Sequence, residues 1–169
     1  MHGIIHTVAQ FLSPWQSIYS NSKVVSSAVT FVHLAGLLFA GGFAVAADRA
    51  TLRAARSTAE RRLNALNELD AVHRPVLVGL GVIVASGILQ FGADVETFAT
   101  SPVYWTKMSL VALLLANGYV LKRTETILRA RDGGQPHDPL WSRLRNCSIA
   151  SAVLWAAIVL AGTILNSIS

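Results

Sequence analysis

Four stretches of the chain are free of charge, or nearly so, over lengths that suit a helix crossing a bilayer. Val24–Ala47, Pro75–Ala93 and Asn146–Ser169 contain no Asp, Glu, Lys or Arg, and Ser101–Leu121 contains one, Lys107. A hydrocarbon core is crossed by roughly 20 mostly apolar residues in helical form, because every backbone polar group must be satisfied within the segment. The expected fold is therefore all-α: an integral membrane four-helix up-down bundle in a single domain, with spans at 24–47, 75–93, 101–121 and 146–169. Composition agrees, with 53% hydrophobic and 14% charged residues in 169. The small residues Ala44-Val45-Ala46-Ala47 look like a cleavage site, but the preceding run is too long for a signal-peptide core and its charges follow it, so a retained span is expected.

A net charge of +5 could suggest nucleic acid, but the charges are sorted by position. Arg49, Arg53, Arg56, Arg61, Arg62 and Arg74 lie between spans one and two. Lys122, Arg123, Arg129, Arg131, Arg143 and Arg145 lie between spans three and four. Only Lys23 and Lys107 remain for the other side. The positive-inside rule then puts both loops in the cytoplasm and both termini outside, as in a bacterial inner-membrane protein, with lipid rather than nucleic acid as the surrounding partner. Cys147 has no second cysteine to pair with.

Residues 1–22 carry Ile4, Ile5, Val8, Phe11 and Leu12 at helical spacing, followed by Pro14 and Trp15. The pattern predicts an amphipathic surface helix with Trp15 and Tyr19 at headgroup level. Leu52, Ala55, Ala59, Leu63, Leu66 and Asp70 repeat at i, i+3, i+4, so the first cytoplasmic loop is also expected to be helical. It either extends span one or lies on the headgroups. Asp94–Thr100 is a short outer loop ahead of a helix start at Ser101-Pro102, and Gly133-Gly134-Gln135-Pro136 is turn chemistry.

Two ionisable side chains inside the spans need a reason to be there. His33 is nine residues in from Val24, about 14 Å, and Lys107 is six in from Ser101, about 9 Å, both counted from the outer side. Matched depth suggests one shared cavity, since an ionisable group in hydrocarbon is costly unless paired, hydrated or ligated. Haem b fits such a pair: iron takes imidazole, helix bundles hold cofactors between facing helices, and an amine can be a second ligand or a propionate contact. The plain alternatives are a snorkelling lysine and a hydrogen-bonded neutral histidine. His2 and His6, four apart, share a helix face and could present metal ligands. His73 is some 14 residues of helix away from the level of His33, roughly 20 Å, so one haem cannot engage both, and His73 is either a metal ligand of a second site on the cytoplasmic side or an interfacial residue. Gln90 and Asn117 could bond across helices or meet a quinone carbonyl.

His33 followed by Ala35-Gly36-Leu37-Leu38-Phe39-Ala40-Gly41-Gly42, then Ser86-Gly87, then Tyr104-Trp105-Thr106-Lys107, resembles a group of small bacterial four-helix membrane proteins, the copper-resistance D-like domain and the J-type protoporphyrinogen oxidase. The resemblance covers about two thirds of the chain and implies b-type haem held at His33 and Lys107, with Gly36, Ser86, Gly87 and Trp105 around it. The run after His33 stays small and apolar up to Asp48-Arg49, unlike the J-type pattern, so the expectation is the looser one: a haem-binding, cytochrome b-like electron-transfer subunit working with a quinone or a larger redox complex. No nucleophile with its base, carboxylate pair or phosphate loop marks an independent enzyme. The rival readings are copper handling through His2, His6 and His33, against which soft ligands are scarce at two Met and one Cys, and a cofactor-free structural subunit.

Overall fold

A computed structural model describes the backbone of residues 2–54, 57–131 and 138–168, and side chains over 6–54, 57–131 and 138–165. Among the described residues there are helices and no strands. They run α1 (His2–Phe11), α2 (Ser13–Asn21), α3 (Lys23–Ala54), α4 (Ala59–Ala93), α5 (Val95–Thr100), α6 (Pro102–Arg129) and α7 (Pro139–Ile168). Three of them, α3, α4 and α7, are long and apolar enough to cross a membrane.

The amino-terminal segment is two helices rather than one. The break falls at Leu12, with Pro14 in the first turn of α2, where its missing N–H costs nothing. Trp15 fixes α2 to the bundle: its indole N–H donates to the Leu89 carbonyl at 2.9 Å, and its ring lies over Gly92 of α4. The first basic loop is carried on helical extensions. At 1.5 Å per residue α3 and α4 are about 48 and 52 Å long, against roughly 30 Å for a hydrocarbon core, and the surplus length carries the arginines. α4 runs through Pro75 instead of starting there. The segment 94–100 is also helical: Asp94 caps α5 by accepting from the Thr97 N–H, and Ser101 caps α6 by accepting from the Tyr104 N–H. The turn at Gly133–Pro136 lies outside the described residues.

α3 packs along α4 and also touches α7, which in turn packs along α6; α4 and α6 barely meet. Small residues allow the first of these contacts. A Cβ on Gly79 would stand 2.8 Å from the Ala40 Cβ, and one on Gly36 would stand 3.0 Å from Ile83. Trp155 of α7 lies against Gly41 on the same helix. Lipid tails compete with Leu for apolar contact, so it is this close backbone approach that holds helices together in a bilayer. The packing inverts the soluble pattern. His33, Asp48, Thr51, Ser86, Thr124, Glu125, Ser148 and Ser151 are buried, whereas Phe31, Leu38, Leu77, Val78, Ile88 and Val153 are exposed. An apolar exterior over long helices is what a lipid environment requires.

The apolar core has two parts. Leu66, Leu69, Leu121, Leu128, Trp141 and Leu144 fill the arginine-rich end, and Ala40, Leu114, Trp155 and Ile158 fill the middle. Gly79→Val should force α3 and α4 apart and lower stability by roughly 1–3 kcal/mol. Gly81→Ala, whose added Cβ meets nothing within 4 Å, should be neutral or slightly stabilising. Thermal unfolding of the two variants in detergent compares them.

Candidate functional site: the seam between α4 and α6

Because α4 and α6 are each packed on other helices, the seam between them is closed mainly at its ends. At the end bearing the termini, Phe91 of α4, Phe98 of α5 and Tyr104 of α6 stack, with ring centroids 5.3 to 6.4 Å apart. At the other end charge does the joining. Glu125 of α6 is wholly buried. Its carboxylate meets Arg129 Nε at 3.2 Å, Lys122 Nζ at 3.4 Å and His73 Nε2 at 3.6 Å. Lys122 also donates to Asp70 of α4 at 2.7 Å, and Arg129 donates to the Leu66 carbonyl and to Asn67. Between these closures lie two cavities.

The cavity nearer the termini has a volume of about 180 Å³ and is lined by His33, Gly87, Gln90, Tyr104 and Lys107 among others. His33 is 7% exposed. Its Nδ1 lies 2.9 Å from Ser86 Oγ, and the Ser86 hydroxyl donates to the Val82 carbonyl at 2.6 Å. A hydroxyl has one proton, so with that proton on the Val82 carbonyl Ser86 Oγ accepts from the imidazole, an assignment that puts the His33 proton on Nδ1. In that tautomer Nε2 carries the lone pair; the atom is buried without a hydrogen-bond partner among the described residues. Gly87 leaves room for this ring, since a Cβ there would be 3.5 Å from His33 Cε1.

Lys107 enters the same cavity from α6. Its half-buried amine rests against Gly162 of α7, where a Cβ would be 3.6 Å from Nζ, and it has no hydrogen-bond or ion-pair partner among the described residues. His33, Ser86, Gly87 and Lys107 are thus brought together. Gly36 is not among them; it serves the α3–α4 contact. Trp105 stands outside, 58% exposed, its indole donating to the Ala99 carbonyl at 3.0 Å.

The second cavity, about 330 Å³, lies toward the arginine-rich end and is lined by Asp48, His73, Asn117, Lys122, Ser151 and Trp155 together with apolar side chains. His73 has both ring nitrogens engaged: Nδ1 is 2.8 Å from the Leu69 carbonyl and Nε2 faces Glu125. Asn117 donates to the Cys147 carbonyl at 2.9 Å, tying α6 to α7. His6 lies exposed in a polar groove of about 290 Å³ at the outside of α1, with Asp94 and Glu96; the side chain of His2 is outside the described residues. No group of three His, Cys, Asp or Glu that could hold a metal ion occurs among the described residues.

Two buried carboxylates, Asp48 and Glu125, are not marked by the hydropathy pattern. Asp48 directly follows span one and looks like an interfacial charge beside Arg49, yet it is 3% exposed and lies beside Ser148 and Ser151 of α7. Glu125 sits among basic residues. Its spacing, three after Lys122 and four before Arg129, was the legible signal of an ion-pair network.

Comparison with protein-family models, with curated proteins and with solved structures returns no match in any of the three.

Glu125→Ala would strand its cations at the base of the seam. Removing one partner of a buried pair costs about 3–5 kcal/mol, and part of that is screened here because Lys122 and Arg129 are 41% and 36% exposed. A loss of roughly 2–4 kcal/mol is expected, read as a lowered melting temperature in detergent, with Glu125→Gln losing less.

Proposed function

We propose that this chain is a four-span membrane protein that binds b-type haem in the α4–α6 seam and serves as an electron-transfer subunit. One observation carries the reading: His33 Nδ1 lies 2.9 Å from Ser86 Oγ while its Nε2 is buried without a hydrogen-bond partner among the described residues, and the cavity that His33 lines also receives Lys107. Metal-binding histidines characteristically donate the other ring N–H to a nearby acceptor, which fixes the tautomer and the ring orientation. Ser86 supplies that acceptor here. The resemblance of the His33, Ser86-Gly87 and Tyr104–Lys107 segments to the J-type and copper-resistance D-like haem proteins points the same way.

Topology follows from the same reading. α6 becomes the fourth span: it carries no charge from Met108 to Leu121, and Met108, Leu113, Leu115 and Tyr119 are exposed on it. Twelve basic residues at one end against two elsewhere orient that end to the cytoplasm and the termini to the outside of a bacterial inner membrane.

The fit has a physical condition. A cavity of 180 Å³ is smaller than the roughly 300–1,000 Å³ typical of ligand pockets. A tetrapyrrole would therefore have to widen the seam to bind. α4 and α6 make this possible because they are joined at their ends and little between. When bound, haem supplies one-electron chemistry. His33 would ligate the iron through its imidazole, Ser86 would hold the imidazole in register, Gly87 would keep space beside it, and Lys107 would either ligate the iron as well or supply the positive charge that holds a propionate. Electrons would pass to or from a quinone or an outer-face redox subunit.

Absorbance spectra of protein purified from haem-supplemented cells test this. Wild type should show a Soret band, His33→Ala should lose it, and Ser86→Ala should weaken haem retention roughly 10- to 100-fold, the usual effect of deleting the group that orients a ligand. Lys107→Arg keeps a charge for a propionate but cannot ligate iron readily, so an unchanged spectrum assigns Lys107 to the propionate and a shifted one to the iron. An unaltered Soret band in His33→Ala contradicts the reading.

A further inference from the structure

We propose that the cavity toward the arginine-rich end is a binding site for a lipid-soluble hydroquinone, held by Asp48. The cavity is separate from the one at His33: Asp48 is fifteen residues further along α3, about 22 Å along its axis. At about 330 Å³ it reaches the range of small-molecule pockets without rearrangement. Ala44, Val76, Leu80, Leu114 and Trp155 form apolar walls. Leu77, Leu115 and Tyr119 line it too and are exposed on the outer face of the seam, so the cavity opens sideways toward lipid rather than toward water.

The polar groups select the occupant. Asp48 is 3% exposed, and its Oδ2 is buried without a hydrogen-bond partner among the described residues. A carboxylate oxygen left so in a low-dielectric interior costs free energy that a donor on a ligand recovers. Asn117 commits one of its two amide N–H groups to the Cys147 carbonyl, which leaves its side-chain oxygen as a second acceptor and one N–H as a donor. His73 offers no free nitrogen for a metal, since Leu69 and Glu125 engage both. A ligand matching this lining has an apolar tail, a flat ring to lie against Trp155, and hydroxyl donors at one end. A hydroquinone with an aliphatic tail has all three. An acyl chain has no donor, and the corresponding quinone has no hydroxyl to give to Asp48.

Gly118 provides a clean way to fill the space. It lines the cavity, and a Cβ added there meets nothing within 4 Å, so Gly118→Leu extends into the void without displacing backbone. The test titrates decylubiquinol, under anaerobic conditions, into the full-length protein in nanodiscs and follows quenching of tryptophan fluorescence, with Trp155→Phe locating the signal. Saturable quenching is expected in wild type, with binding at least tenfold weaker in Asp48→Leu and in Gly118→Leu, and at least tenfold weaker for decylubiquinone than for the quinol. Binding should persist in His33→Ala, which separates this site from the haem reading. Absence of saturation in wild type, equal affinity in Gly118→Leu, or equal affinity for quinol, quinone and decanol overturns the proposal; the last would mark a lipid-tail groove.

Discussion

The architecture depends on α3 carrying small residues on the faces it turns to α4 and α7. Gly36 and Ala40 admit α4, and Gly41 receives Trp155 of α7. With α4 and α7 both drawn onto α3, α6 has only α7 to lie along, and the fourth side of the bundle stays open between α4 and α6. In water such an opening would collapse under the hydrophobic effect. In lipid there is no comparable drive, because a tail satisfies an apolar wall as well as a helix does. The seam is therefore held by what lipid cannot replace: stacked aromatic rings at one end and the Glu125 ion-pair network at the other.

The two cavities inherit their chemistry from α3, which faces one with a histidine and the other with an aspartate. Both residues are buried, and both retain a polar atom without a protein partner among the described residues, Nε2 of His33 and Oδ2 of Asp48. Thr124, Asn117 and Ser86 are committed, donating to the Val120, Cys147 and Val82 carbonyls, whereas Thr51 Oγ1 and Ser148 Oγ are, like the His33 and Asp48 atoms, buried without a partner among the described residues. Uncommitted buried atoms are expensive in a bilayer, and the His33 and Asp48 atoms belong to side chains that line the two cavities of the seam.

Much of the fold was legible because length and charge act one residue at a time. The uncharged runs marked the cores of α3, α4 and α7, and Ser101-Pro102 marked the start of α6. Helix continuity was less so. Pro75 reads as a boundary, yet α4 passes through it, and the break at Leu12 divides a segment whose apolar spacing looks continuous. For the site, matched depth brought His33 and Lys107 to one cavity, but depth carries no information about azimuth. Trp105 is two residues from Lys107, about 200° around the helix, and so points out of the bundle. Gly36 shares a helix with His33 but is spent on the α4 contact. Asp48 was hidden because its burial is conferred by Ser148 and Ser151, a hundred residues distant in sequence.

The most direct test of the His33 geometry is nitrogen NMR on protein labelled with ¹⁵N-histidine, before and after addition of ferric haem. The ligand-free spectrum should show a neutral His33 with its proton on Nδ1 and a bare Nε2, and haem should broaden the His33 signals away while those of His73 persist. A His33 protonated on Nε2 or on both nitrogens, or one whose resonances ignore added haem, would contradict the account.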